Sequence, residues 1–305
     1  MTKESVGINF GFDKGKFFVE YYPTTRPVGN LRFEFERRAK YLFSQNKKLI
    51  LGLSSGLDSQ SVLHSFFSQG MEIRCAFLHH PGYNDNEYEN IKLLEKKYNF
   101  KTIIIEIDPM SVKETVLSLH ESLNLPPNQI LHKMFLERLP NDTNFLQGAH
   151  GPDFFQHDNK WYLFESANSF EISRLRAFQT VNRSGKIIGF ERIPEILLSL
   201  INDNIVKSFL YSYQYIKNNG LVYENGEQIP NIDFWDLYLK PFFYGKYWKD
   251  ELEYFPKYQG CENIDYIING PKNQYLKNLV AIPYNDLIDF LKSNDSEKRR
   301  FYEYQ

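Results

Sequence analysis

Lys48-Leu-Ile-Leu-Gly-Leu-Ser54-Ser55-Gly56-Leu57-Asp58-Ser59-Gln60 is the stretch from which the rest of the chain can be read. The apolar run Leu49 to Leu53 has the length of a buried strand, and it breaks into a small polar loop. Beyond the loop, Val62, Leu63, Phe66 and Phe67 form two i, i+4 pairs on one helical face, and Gly70 stands where a helix stops. A strand that ends in a Ser/Gly loop and opens a helix makes an anion site. Small residues let backbone N–H groups approach, hydroxyls donate, and the helix N-terminus adds partial positive charge. Leu53, Ser54, Ser55, Gly56, Leu57, Asp58 and Ser59 are therefore the candidate phosphate-binding residues. The loop holds no lysine and no Gly-Lys-Ser/Thr, so it is not the common phosphate loop with an internal lysine. A serine-rich turn capping an ordinary helix is the plain alternative.

The surroundings of the loop bound what it can serve. With 305 residues and 42% hydrophobic content, the chain has room for one large domain or two modest ones. A formal net charge of -2 gives no sign of a broad nucleic-acid-binding surface, although a local basic groove would not show in the total. The two cysteines, Cys75 and Cys261, lie far apart, which excludes a Cys-rich zinc site and a disulfide framework. The start, Met-Thr-Lys-Glu-Ser, has no apolar leader, and no run approaches the roughly 18 to 20 apolar residues of a membrane span. A soluble, cytoplasmic protein with no membrane partner is the expectation. Of the 26 Phe and 21 Tyr, many fall after residue 154. Packing on rings accounts for them, and base stacking is the sharper alternative.

Outward from the loop the pattern alternates as βαβ units require. Before it, Val6 to Tyr22 reads as a hairpin turning at Asp13-Lys-Gly15, and Asn30 can cap a helix carrying Leu31, Phe35, Ala39 and Leu42. After it come a strand at Ile73 to Leu78, a helix at Asn86 to Tyr98 and a strand at Thr102 to Ile107. Ser111-Val-Lys-Glu114 reads as a capping box for a helix through Leu123, and Asn128 as the cap of another through about Leu139. Thr143 to Gln147 closes the series as a short strand. The fold class is α/β: a doubly wound parallel sheet with a short N-terminal β-hairpin and a mainly helical C-terminal lobe. Three segments follow, a hairpin and connector at 1–29, an ATP-binding α/β domain at 30–160 and a helical substrate or lid lobe at 161–305. Helical patterns at Ile172 to Thr180 and Pro194 to Lys217 precede loops rich in Tyr, Trp, Gly and Pro, and Lys298-Arg-Arg300 reads as a solvated terminus. Ligands of such sheets bind outside the carboxyl ends of the strands, where the loop lies.

A second stretch, Phe145-Leu-Gln-Gly-Ala-His-Gly-Pro-Asp-Phe-Phe155, ends a strand at the same edge. Gly148 and Gly151 would admit a phosphate to the backbone, and Asp153, a hard oxygen ligand, pairs with Asp58 as the candidate Mg²⁺ site. On its own a Gly/Pro/Asp turn between elements is common. His79 ends the second strand, where adenine or ribose would lie; a plain loop position is the alternative, and no further ligand stands at a metal spacing.

These motifs carry a resemblance. Ser54-Ser-Gly-Leu-Asp-Ser59 is similar to the SGGxDS signature of the PP-loop ATP pyrophosphatases, the adenine nucleotide alpha hydrolase-like proteins. The order of elements over roughly residues 30 to 160 resembles the synthetase domain of asparagine synthetase and of β-lactam synthetase. There a helix rich in Arg, compare Arg37 and Arg38, leads into LSGGLDSS, and Leu146 to Phe155 resembles the family's LTGEGADELF segment. The resemblance implies ATP and Mg²⁺, with Asp58 acting in catalysis and a late lysine stabilising charge during acyl transfer. Lys246, in Pro241-Phe-Phe-Tyr-Gly-Lys-Tyr-Trp248, is the candidate for that lysine. Ser55 replaces a family glycine, Ala149-His150 replaces a family Glu, and only about 45 residues precede the loop, too few for a glutaminase domain.

The implied reaction is attack of a substrate carboxylate or carbonyl on the α-phosphorus of ATP, releasing pyrophosphate, then displacement of AMP by ammonia or an amine. The partner is a small-molecule acid or amine, with ammonia free or from a separate donor. Two alternatives stand beside this carbon–nitrogen ligase: an enzyme of the same loop type modifying a base in tRNA or DNA, and a nucleotide-binding module without turnover.

Overall fold

The computed structural model describes residues 9–45, 48–123, 125, 127–148, 153–157, 160–166, 178–182, 184–208, 240–255, 279–293 and 297–302. The sheet that positions the loop has five parallel strands in the order β5-β4-β3-β6-β9. They are β3 (Leu49–Gly52), β4 (Arg74–His79), β5 (Thr102–Glu106), β6 (Asn144–Gln147) and β9 (Ile187–Gly189). Chain order thus runs outward from β3 to β5, then returns to the other side of β3 for β6 and β9. The reversal lies between β3 and β6, and at such a switch point the two loops diverge and leave a crevice. Four of these strands are those expected from sequence; β9 is three residues long and flanked by polar loops, so it has no readable pattern.

Side chains alternate across this sheet with the two-residue period of a strand. Leu49, Leu51, Leu53, Cys75, Phe77 and Leu146 join one cluster of buried residues, while Ile50, Ala76 and Phe145 join a second on the opposite face. The first face is covered by α1 (Leu31–Gln45), α2 (Leu57–Phe67), α3 (Asp85–Tyr98) and α6 (Pro194–Ile201). The second is covered by α4 (Lys113–Leu123) and α5 (Pro127–Glu137). Burial on both faces is why the strands read as continuous apolar runs. Each fully buried Leu or Phe in them contributes on the order of 1.5 to 3 kcal/mol.

Two expected caps take other forms. Asn30 does cap α1, its Oδ1 accepting the Phe33 amide at 3.0 Å. The Ser111 capping box is absent, because its hydroxyl donates to Asp108 O at 2.8 Å. Helix α5 opens on Pro127, whose fixed φ suits a first helical position, and Asn128 lies inside the first turn.

The hairpin forms as expected, β1 (Asn9–Asp13) against β2 (Lys16–Tyr21), turning on Lys14 (φ 50°) and Gly15 (φ 80°). Its third strand is β11 (Arg299–Tyr302), antiparallel to β2. The terminus expected to be solvated is exposed but ordered: Arg299 and Arg300 lie in β11, and Lys298 and Arg300 reach the buried Glu20 carboxylate at 3.0 and 3.1 Å. A third sheet joins β7 (Asp153–His157), β8 (Lys160–Ser166) and β10 (Leu279–Pro283). The stretch expected to be loops between Gly220 and Pro283 holds α7 (Lys240–Trp248) and β10, and α8 (Tyr284–Lys292) follows. Of the expected helix at Ile172 to Thr180, residues 172–177 lie outside the described ones, as do 209–217 of the next.

One cluster of buried residues draws on all three expected segments, from Phe17 in β2 through Phe35 and Phe66 to Phe190, Trp248 and Leu287. Its centre is aromatic: the Phe35 ring lies 5.2 Å from Phe190 and 5.3 Å from Trp248 in edge contacts. For these rings the packing reading of the aromatic content holds.

Candidate active site

The loop is built by its own serines. The Ser59 hydroxyl, in the first turn of α2, donates to Ser54 O at 2.7 Å and accepts the Ser54 amide at 3.1 Å. The Ser54 hydroxyl accepts the Gly56 amide at 3.2 Å. These bonds fold the chain back at the strand end, and Gly56 caps α2 with extended backbone (φ −72°, ψ 153°) and no side-chain bond. The first helix bond is from the Gln60 amide to Gly56 O, so the amides of Leu57, Asp58 and Ser59 precede it at the helix N-terminus. That end carries the positive pole of the helix.

Across the crevice stands Gly148, after the last residue of β6. A Cβ placed on it would lie 3.1 Å from Ser59 Cα and 3.3 Å from Ser59 N. The two expected halves of the site are thus in backbone contact. Gln147, just before it, is buried with a side-chain oxygen that meets no partner among the described residues. The backbone of Asp153 begins β7, but its side chain, Gly151 and residues 149–150 lie outside what is described, so the expected Asp58–Asp153 pair has only its Asp58 half placed.

Ser55 turns away from the crevice. It is buried, its hydroxyl accepts Asn90 Nδ2 at 3.4 Å, and its amide donates to the Glu87 carboxylate at 3.2 Å. The Ser55 side chain is therefore accommodated against α3.

Asp58 is held from the far end of the chain. Tyr244 of α7 donates its hydroxyl to Asp58 Oδ1 at 2.6 Å. Burial first, then the charges of Asp58 and Glu191, push the Tyr244 phenol well above its ordinary range, so it remains a donor at neutral pH. Two positions along α2, Gln60 forms a two-way clamp: its Nε2 donates to Glu253 O and its Oε1 accepts the Glu253 amide, each at 2.8 Å. The same Nε2 holds Ser55 O at 2.8 Å. Glu251 lies alongside, 2.8 Å from the Arg32 guanidinium and 3.1 Å from His64, whose pKa burial lowers.

Lys246 is not brought to the loop. It lies two positions from Tyr244, about 200° round α7, and its ammonium donates to Asp203 at 2.7 Å. Asp203 is buried beside a cleft of ≈ 670 Å³ lined by residues including Arg26, Asn30, Asn202, Tyr247 and Lys292. The helix meets the loop through Tyr244 instead.

His79 sits at the end of β4, stacked on Tyr88 at 4.6 Å and 14°. Its Nε2 meets Asp85 at 2.8 Å and its Nδ1 meets Glu106 at 3.2 Å. The Asp85 carboxyl is lowered by its bond to His79 and by the Gly82 amide. His80 is buried, which lowers its pKa despite the bond to Ile107 O. Among the described residues no cluster of three or more His, Cys, Asp or Glu could hold a metal.

Tyr244, Gln60 and Glu87 were not singled out from sequence. Gln60 adjoins the loop motif, Glu87 falls in the acidic start of α3, and Tyr244 falls in the ring cluster around Lys246, yet nothing local marks any of them as facing the loop.

Together these features define an α/β protein with a candidate anion site at its switch point. No family model matches the chain, and no curated protein matches it. Among solved structures, it is similar to NMN synthetase from Francisella tularensis (11% identity, TM-score 0.36, 87% of this chain and 93% of that chain). It is also similar to NH3-dependent NAD synthetase from Campylobacter jejuni subsp. jejuni NCTC 11168 in complex with the nitrate ion (12% identity, TM-score 0.36, 75% of this chain and 99% of that chain). Likeness at this score carries no functional argument, and a particular closeness to asparagine synthetase is not shown.

Proposed function

We propose that the chain is an ATP-dependent enzyme that adenylates a substrate carboxylate or carbonyl, releasing pyrophosphate, and passes it to ammonia or an amine. The observation that carries this reading is the meeting of Ser54–Ser59 and Gly148 at the sheet's switch point. A carboxylate does not react usefully with an amine at neutral pH, because oxide is a poor leaving group; AMP leaves easily. The chain's part is to hold the triphosphate and balance its charge. The first amides of α2 and the Ser54 hydroxyl meet phosphate oxygens, and Gly148 lets the β6 loop close from the other side. Asp58 offers one hard carboxylate beside them with one oxygen fixed, which suits a cation that takes one or two carboxylates and completes its shell with phosphates and water. Mg²⁺ bound there would neutralise charge on the departing pyrophosphate.

The test is mass-spectrometric detection of products with candidate acids and amines. AMP and pyrophosphate are expected, and ADP would overturn the reading. Asp58→Ala is expected to lower pyrophosphate release by at least about 100-fold, the order seen when a charge-stabilising group is removed, with an unchanged circular dichroism spectrum.

A second reading is a nucleotide-binding module without turnover. It is favoured by the Glu87 carboxylate on the Ser55 amide, a negative charge beside the loop. ATP–Mg²⁺ raising the melting temperature with no pyrophosphate from any acceptor would decide for it.

A further inference from the structure

We propose that Tyr244 is a positioning residue for the loop: its hydroxyl fixes the Asp58 carboxylate in the orientation that receives the divalent cation accompanying the nucleotide. The inference rests on the proposed nucleotide site and adds a residue from the other end of the chain, 186 positions from Asp58.

Four observations converge on it. The bond is short, 2.6 Å, and its donor is buried, with 3% of Tyr244 exposed, so water does not compete for the hydroxyl. Its acceptor is a carboxylate, and such charge-assisted bonds are roughly twice as strong as neutral ones. The ring is fixed in turn, 5.3 Å from Trp248, which is itself buried against Phe35 of α1. The direction of the Tyr244 hydroxyl is thus set by the core and not by a mobile side chain. Finally, Asp58 stands in the first turn of α2, beside the N-terminal amides, and Tyr244 anchors it at Oδ1. An Asp with free rotation about its side-chain bonds would need ordering when the cation binds, and the tyrosine removes that cost beforehand.

The same contact assigns α7 a purpose. The Gln60–Glu253 clamp secures the segment just after α7 to the loop helix, and Arg32 pairs with Glu251 and donates to Tyr247 O. Tyr244 is therefore presented to Asp58 by a segment tied at several points to α1 and α2. This is the arrangement expected of a group whose placement must be accurate to a fraction of an ångström.

The test is a thermal-shift titration of the full chain with ATP at fixed concentration and Mg²⁺ varied, with a parallel series in ATP and EDTA. Tyr244→Phe keeps the ring and its packing on Trp248 and removes only the hydroxyl. It is expected to raise the Mg²⁺ concentration for half-maximal shift about tenfold, the factor equal to ~1.4 kcal/mol, while the shift by ATP in EDTA stays as in the wild type. In an Asp58→Asn background, Tyr244→Phe should add nothing to the Mg²⁺ dependence, because the carboxylate that the hydroxyl positions for the cation is already gone. A merely structural tyrosine would shift both series and would add to Asp58→Asn. Equal Mg²⁺ midpoints in Tyr244→Phe and wild type, or an additive effect in the double variant, would overturn the role of Tyr244. A wild-type chain that shows no shift with ATP at any Mg²⁺ concentration would instead overturn the nucleotide site, and the role with it.

Discussion

A Cβ on Gly148 would stand 3.1 Å from Ser59 Cα, closer than ordinary contact, and a backbone atom cannot rotate away, so the two loops would have to part by a few tenths of an ångström. Gly148→Ala is expected to cost roughly 1 to 3 kcal/mol, as overpacking does, read as a lower urea midpoint. It should also weaken the ATP-dependent thermal shift, since the two loops would have to part. Ser55 is the opposite case. From sequence its side chain looked like an intrusion at the phosphate-binding backbone, yet it is directed at Asn90 of α3. The same residue shows what sequence cannot weigh: whether a Cβ is tolerated depends on the direction in which the backbone points it.

At the scale of elements, β11 illustrates how a charge run becomes structure. Glu20 in β2 is buried at 3% exposure, and burial by itself would raise its pKa. Hydrogen bonds from Lys298, Asn9, Arg300 and Tyr22 outweigh burial and leave it below the ordinary 4.5. A carboxyl whose folded pKa is depressed contributes stability that is present above its unfolded pKa and is lost as pH falls through the folded one. Wild-type melting temperature should therefore drop on acidification below about pH 4.5, and in Glu20→Gln part of that drop should be missing. At neutral pH Glu20→Gln should cost only ~1 kcal/mol, because Lys298 and Arg300 stay hydrated at 52% and 34% exposure. A melting curve whose pH dependence is identical in the two proteins would contradict this account of β11.

At the scale of the molecule, the core joins early and late sequence. Phe35 of α1 packs on Phe190 and Trp248, and Phe66 of α2 lies 6.1 Å from Phe190. A fragment of residues 30–160, which would hold the loop and four of the five parallel strands, lacks all of these late partners and β9. It is expected to show no cooperative urea transition and no response to ATP–Mg²⁺, measured by circular dichroism and thermal shift. A fragment that unfolds cooperatively would mean that the shared core is dispensable.

The features legible in the sequence are those whose causes are local. The strand–loop–helix at Leu49 to Phe67, the Lys14-Gly15 turn and the Asn30 cap follow from hydrophobic period, positive φ and a side chain within reach of its own backbone. Four parallel strands could be found because burial on both faces leaves continuous apolar runs. The expected lysine at the loop could not be checked in the same way, since a helix offers several faces and only packing selects one; α7 turns Tyr244 inward to Asp58 and Lys246 to Asp203. The fifth strand, the pairing of β11 with β2 and the clamp at Gln60 likewise join residues far apart in the chain. The sequence by itself determined the loop, its strand and its helix, because neighbours a few residues apart decide them. Only the tertiary structure decided which side chains attend the loop, because contacts between distant segments are fixed by how whole elements pack and leave no period in the chain.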